Sequence, residues 1–130
     1  MNISSFAFAI NSKKGETVTI DLGGKELKTA ELNIYDSDKT NKKSAFALEI
    51  YGTVILENCT VSSRGIMVKE GGSLILGENV TINATDKGGG FAINCQGGEV
   101  TINGGAFPNT SNSSNDFYSK ETGQITNNVK

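Results

Sequence analysis

The chain has no histidine and no tryptophan, one proline, and one arginine, Arg64. Histidine is the commonest general base and a frequent metal ligand, so its absence excludes Ser-His and Cys-His dyads and imidazole metal sites. The two cysteines, Cys59 and Cys95, do not form a Cys-x-x-Cys pair, and no phosphate-cradling glycine loop is present. No metal or organic cofactor is expected. No apolar run approaches the ~18 residues of a membrane-spanning helix. Basic residues run no longer than a pair (Lys13-Lys14, Lys42-Lys43), and the formal charge is −2. Binding a nucleic-acid backbone needs a basic patch, so nucleic acid is excluded as a partner. Met1 to Ile10 lacks a basic start and merges into the first repeat. It reads as structure rather than as a signal peptide, which points to a cytoplasmic or virion-associated protein.

What the chain does have is glycine, 16 residues of it, and repetition. Phe8-Ala-Ile-Asn11, Phe46-Ala-Leu-Glu49, Ile66-Met-Val-Lys69 and Phe91-Ala-Ile-Asn94 share one alternating pattern. A second strand follows each: Val18-Thr-Ile-Asp21, Val54-Ile-Leu-Glu57, Leu74-Ile-Leu-Gly77 and Val100-Thr-Ile-Asn103. A third appears at Asn58-Cys-Thr-Val61, Asn79-Val-Thr-Ile82 and Gly104-Gly-Ala-Phe107. The period is 20 residues from Phe46 to Ile66 and 25 from Ile66 to Phe91. Period-2 alternation recurring at such a longer period marks a solenoid. Gly-rich turns such as Gly71-Gly72 and Gly97-Gly98 separate the strands.

The fold class read from this pattern is all-β, a parallel β-helix of about four short rungs. Phe8 to Phe46 spans 38 residues, so the first rung carries an insertion over roughly 28–44. That insertion holds a strand candidate at Glu31-Leu-Asn-Ile-Tyr35. Residues 1–107 make up the β-helix domain, and 108–130 a flexible Asn/Ser-rich tail with enough apolar residues for a docking strand.

Thr17-Val-Thr-Ile-Asp-Leu-Gly-Gly-Lys25, Gly71-Gly-Ser-Leu-Ile-Leu76 and Gly97-Gly-Glu-Val-Thr-Ile-Asn-Gly-Gly105 resemble rungs of the right-handed parallel β-helix, pectate-lyase-like superfamily. The resemblance covers about residues 5–107. It implies a right-handed solenoid. It leaves activity open, because the superfamily spans polysaccharide lyases and hydrolases, phage tailspikes and fibres, adhesins and small assembly proteins. Lyases of the superfamily use a basic residue beside a calcium-binding acidic cluster. No acidic cluster surrounds Arg64 in sequence, so that pattern is not met.

Successive rungs stack ~4.8 Å apart, so equivalent positions form columns. The expected inward columns are Phe8/Phe46/Ile66/Phe91, Ile10/Leu48/Val68/Ile93, Val18/Val54/Leu74/Val100, Ile20/Leu56/Leu76/Ile102 and Val61/Ile82/Phe107. Cys59 and Cys95 fall at inward positions and read as small buried hydrophobes. The outward columns are small and apolar: Ala7/Ala45 and Ala9/Ala47/Met67/Ala92 along the first strand, with Ile55 and Ile75 on the second. Contiguous apolar surface of this kind marks an interface. A homo-oligomer is expected, a trimer by resemblance to phage β-helices. The insertion or the tail folding over the alanine face is the alternative.

Asp21 and Glu57 align after the second strand, at the spacing of a retaining glycosidase pair or of two calcium ligands. A solvated acidic face is the plainer reading of the pair. Arg64 could clamp a phosphate or carboxylate; the plainer reading is a surface or interface ion pair. Glu49 and Lys69 fall in adjacent rungs and are expected to pair, and Asn58 and Asn79 to stack in a ladder. Three functions follow: a non-enzymatic phage-type structural or partner-binding accessory; an anti-defence protein holding a host protein or small anionic ligand at subunit seams through Arg64, Tyr51, Lys69, Tyr35, Lys42 and Lys43; and a polysaccharide lyase or glycoside hydrolase acting on a glycan through Asp21 and Glu57.

Overall fold

The computed structural model describes residues 2–3, 8–11, 15–29, 31–36, 47–63, 66–84, 93–107, 117–120 and 124–128. The described residues form an all-β protein with no helix, and so none long and apolar enough to cross a membrane. In chain order the strands are β1 (Asn2–Ile3), β2 (Phe8–Asn11), β3 (Thr17–Asp21), β4 (Glu26–Thr29), β5 (Glu31–Tyr35), β6 (Ala47–Tyr51), β7 (Thr53–Glu57) and β8 (Cys59–Ser63). They continue with β9 (Ile66–Lys69), β10 (Ser73–Leu76), β11 (Val80–Ala84), β12 (Ile93–Gln96), β13 (Glu99–Ile102), β14 (Phe117–Lys120) and β15 (Gln124–Asn127).

These strands make three sheets, of order β1-β4-β8-β11, β15-β13-β10-β7-β3 and β14-β12-β9-β5-β6-β2. Every strand pair in them is parallel. The chain passes from the six-strand to the five-strand to the four-strand sheet, then starts again: β6-β7-β8, then β9-β10-β11.

Alternation sets which face each strand buries. β7 and β10 alternate half-buried and buried residues, placing Val54, Leu56, Leu74 and Leu76 in the core and Ile55 and Ile75 outward. One hydrophobic cluster gathers these with Leu27, Leu32, Ile34, Ile50, Val61, Ile66, Val68, Ile82, Ile93, Val100 and Ile102. Burying each such side chain stabilises by about 1.5–3 kcal/mol. Cys59 and Cys95 are buried free thiols within it, as expected from their inward positions. The Cys95 thiol donates to the Gly98 carbonyl at 3.2 Å. Gly98 is there because neighbouring strands approach closely: a Cβ on it would lie 2.5 Å from Val68 Cγ1 and 2.7 Å from the Lys69 carbonyl oxygen.

In the five-strand sheet the expected columns hold residue for residue: Val18-Val54-Leu74-Val100 and Ile20-Leu56-Leu76-Ile102. Ile125 extends the first and Asn127 the second. In the six-strand sheet the register differs by two residues from the expected columns. Phe8 sits opposite Leu48 rather than Phe46, and Ile66 opposite Ile93 rather than Phe91. A two-residue slip keeps every side chain on its own face, so alternation alone cannot detect it.

The expected insertion and tail both supply strands. β5 is the expected strand candidate, β4 was not expected, and Leu27, Leu32 and Ile34 on them are fully buried. Moreover β5 lies between β6 and β9, out of chain order, so β6 rather than β5 is next to β2. The remainder of the expected insertion, 37–44, lies outside the described residues. In the tail, β14 and β15 continue two sheets by pairing with β12 and β13.

Truncating the fully buried Leu56 to alanine is expected to cost about 2–5 kcal/mol of unfolding free energy. Truncating its outward neighbour Ile55 is expected to cost less than about half of that. Urea denaturation of the two variants checks the assigned faces; equal losses would contradict them.

Candidate functional site

The polar residues that the sequence offers for chemistry collect where the chain turns from the five-strand into the four-strand sheet. Asp21 ends β3, Asn58 links β7 to β8, and Asn79 immediately precedes β11. Asn58 and Asn79 have φ of +47° and +58°. Asparagine tolerates this left-handed conformation better than other residues with a side chain, because its short amide can bond locally. Here the amides bond from one sheet-linking turn to the next. Asn79 Nδ2 donates to Asn58 Oδ1 at 3.2 Å, and Asn58 Nδ2 donates to Asp21 Oδ2 at 3.2 Å. The Gly23 amide donates to Asp21 Oδ1 at 2.9 Å. Backbone bonds lock the same corner: the Asn58 amide to the Glu78 carbonyl and the Cys59 amide to the Asn79 carbonyl, both 3.2 Å.

Beside this ladder is a hollow of about 370 Å³ lined by Glu57, Asn58, Gly77, Glu78 and Asn103. Gly77 leaves room for the acid next to it, since a Cβ there would come within 2.9 Å of Glu57 Cγ. Asn103 Oδ1 accepts from Asn128 Nδ2 at 2.8 Å. Asp21 and Glu57 do face one another on adjacent strands, as expected. Among the described residues no three Asp, Glu, Cys or His side chains group closely enough to hold a metal ion. The Gly23 amide first, and the Asn58 side chain second, hold the exposed Asp21 carboxyl below its usual 3.8. Asp21 is therefore a committed acceptor, whereas a proton-donating glycosidase carboxyl needs a raised pKa.

A second polar group lies on the four-strand sheet. The Ser62 hydroxyl donates to Glu26 Oε2 at 2.5 Å, and Asn83 Nδ2 donates to Ser62 Oγ at 3.4 Å. The Ser62 bond is the main cause holding the Glu26 carboxyl low. Sequence reading missed this group because it missed β4. The signal was Lys25-Glu-Leu-Lys-Thr29, which alternates around Leu27.

The other expected site residues are scattered. Arg64, Lys42, Lys43, Ala7, Ala45 and Ala92 lie outside the described residues. The two-residue register difference breaks the expected alanine stripe. Ala9 is opposite Glu49, Ala47 is opposite Glu31, and Met67 lies between Asn33 and Asn94. Glu49 and Lys69 do not adjoin, because β5 separates β6 from β9. Lys69 instead donates to Gln96 Oε1 of the adjacent strand.

Tyr35 and Tyr51, expected as contacts for a ligand, stack with ring centroids 5.2 Å apart. They alternate with inward Ile34 and Ile50 and so point outward, yet they are 9% and 2% exposed. Outward Asn33 is likewise only 3% exposed. This part of the outer face is covered within a single chain. Ile55 and Ile75 remain adjacent, half-buried and outward, as expected.

Comparison with protein-family models, with curated proteins and with solved structures found no match for this chain.

The folded chain favours the ionised form of Asp21. The stability this supplies is complete above the unfolded value near 3.8 and is lost as pH falls through the lower folded value. The stability gap between wild type and Asp21→Asn is expected to be widest above about pH 5 and to narrow towards pH 2. Urea midpoints across that range check this; a gap independent of pH would contradict it.

Proposed function

We propose that the chain is a small right-handed parallel β-helix of the pectate-lyase-like kind, working without catalysis as a structural or partner-binding accessory. The cyclic passage of the chain through three parallel sheets supports the architecture. The state of Asp21 carries the functional part: the carboxylate best placed for chemistry accepts one hydrogen bond from Gly23 in its own turn and one from Asn58 that fastens it to the next. The seam-ligand alternative loses support from the burial of Tyr35 and Tyr51.

Partner contact then falls to the outer face of the five-strand sheet, where Thr19, Ile55, Ile75, Thr101 and Thr126 form one column. Lateral self-association, with three copies as the expected number, would use Ile55 and Ile75 rather than a continuous alanine stripe. A phage-related role belongs to the same proposal and rests on the sequence resemblance.

A panel of acidic and neutral polysaccharides separates this reading from the enzymatic one. No turnover is expected from wild type or from Asp21→Asn/Glu57→Gln. Turnover by wild type that the double variant loses would overturn the proposal.

A further inference from the structure

Among the described residues, β1, β2 and β3 at one end and β14 and β15 at the other are bonded on one side only, while β11 is bonded further through Ala106. The two ends differ in what they offer. In the five-strand sheet, the far end adds β15, which sets polar Asn127 opposite core residue Ile102. In the six-strand sheet, β14 sets Ser119 opposite core residue Cys95. A polar residue at a core position marks a terminal repeat that stops further stacking. The β3 end carries no such stop in the five-strand sheet. Val18, Ile20 and Leu22 pack against the core but stay half-buried, while their column neighbours Val54 and Leu56 are 0% exposed.

β3 reads Thr17-Val-Thr-Ile-Asp21 and is self-complementary. Two copies of it can pair antiparallel about a twofold axis at Thr19. Val18 then meets the second copy's Ile20, and Thr17 meets its Asp21. Opposed residues in an antiparallel pair share a face, so both apolar pairs join the two cores and the threonines face outward. No like charges are opposed. Pairing completes the free β3 edge of each copy and covers the half-buried apolar residues on both. The contact is isologous and closes at two copies.

We propose that the β3 edge is a docking surface for a second copy of this chain, joined end to end through an antiparallel β3–β3 pair. This goes beyond the lateral association considered above and uses the backbone edge of β3 rather than the outer face centred on Ile55 and Ile75.

Thr19 is exposed, so substitution there leaves the monomer core untouched. Opposed residues at the twofold lie ~4.5–5.5 Å apart, within disulfide reach. Under mild oxidation Thr19→Cys is expected to give a covalent dimer, while Thr126→Cys alone, on β15, stays uncrosslinked. Native Cys59 and Cys95 are buried and give little background. Thr19→Lys opposes two like charges and is expected to weaken dimerisation at least about tenfold, less at high salt. Mixing it with Thr19→Glu is expected to restore a heterodimer. Circular dichroism of each variant confirms that the fold is retained. A crosslink formed between Thr19→Cys and Thr126→Cys chains when mixed, and by neither alone, would indicate head-to-tail stacking and overturn the proposal. So would a wild-type monomer at tens of micromolar whose Thr19→Cys variant crosslinks no more than Thr126→Cys. A trimer whose mass is unchanged by Thr19→Lys would overturn it in favour of lateral association.

Discussion

In-register parallel pairing governs this molecule. Most strands lie beside a strand of matching alternation, so inward residues largely meet inward residues and turn residues meet turn residues. An apolar position must therefore recur as apolar, and a polar turn position must find a polar neighbour. Val54, Leu74 and Val100 satisfy the first demand, and Asp21, Asn58 and Asn79 the second. Core and corner are two outcomes of one rule, separated only by whether the repeating side chain can bond sideways.

The corner ladder shows why polar repetition need not mean a binding site. Its two asparagines adopt the left-handed conformation where the chain passes between sheets, Asp21 ends the strand beside them, and the side-chain amide bonds tie one such link to the next. Asp21 in such a place is stabilised as an anion by neutral donors, with no need of a metal or a cationic partner. Charge, local conformation and fold stability are coupled there in one side chain. The hollow alongside, with Glu57 and Glu78, is the free acidic counterpart of that bonded row.

The five-strand sheet was legible because its strands alternate cleanly between well-placed turns, which fixed both face and register. The six-strand sheet was legible only in face. Ile50 could be assigned inward from alternation, but whether Phe8 meets Phe46 or Leu48 turns on pairing energies between strands, which a single sequence does not display. The pairing of β5 with β6 was visible in principle. Glu31-Leu-Asn-Ile-Tyr35 and Ala47-Leu-Glu-Ile-Tyr51 share Leu, Ile and Tyr at the same spacing, and those residues stack on one another. The burial of Tyr35, Tyr51 and Asn33 was not visible. Alternation names the side of a sheet a residue occupies and says nothing of what lies across that side. At the corner, stacking of Asn58 on Asn79 was expected, but Asp21 as the end of that row was not, since its carboxylate was weighed as a solvated face or as chemistry and not as a hydrogen-bond acceptor for the amides.

The order β2-β6-β5-β9 poses a problem in time as well as in space. A ribosome delivers residues 31–35 before 47–51, so β5 is available to β2 while β6 is still unmade. The two strands carry the same Leu-x-Ile-Tyr face, and β5 can satisfy the same core positions above β2. Reaching the final order then requires the later strand to displace the earlier one from its first neighbour. A repeat that makes stacking easy thus also builds a kinetic trap into the nascent chain, at the one place where near-identical strands compete for a single berth.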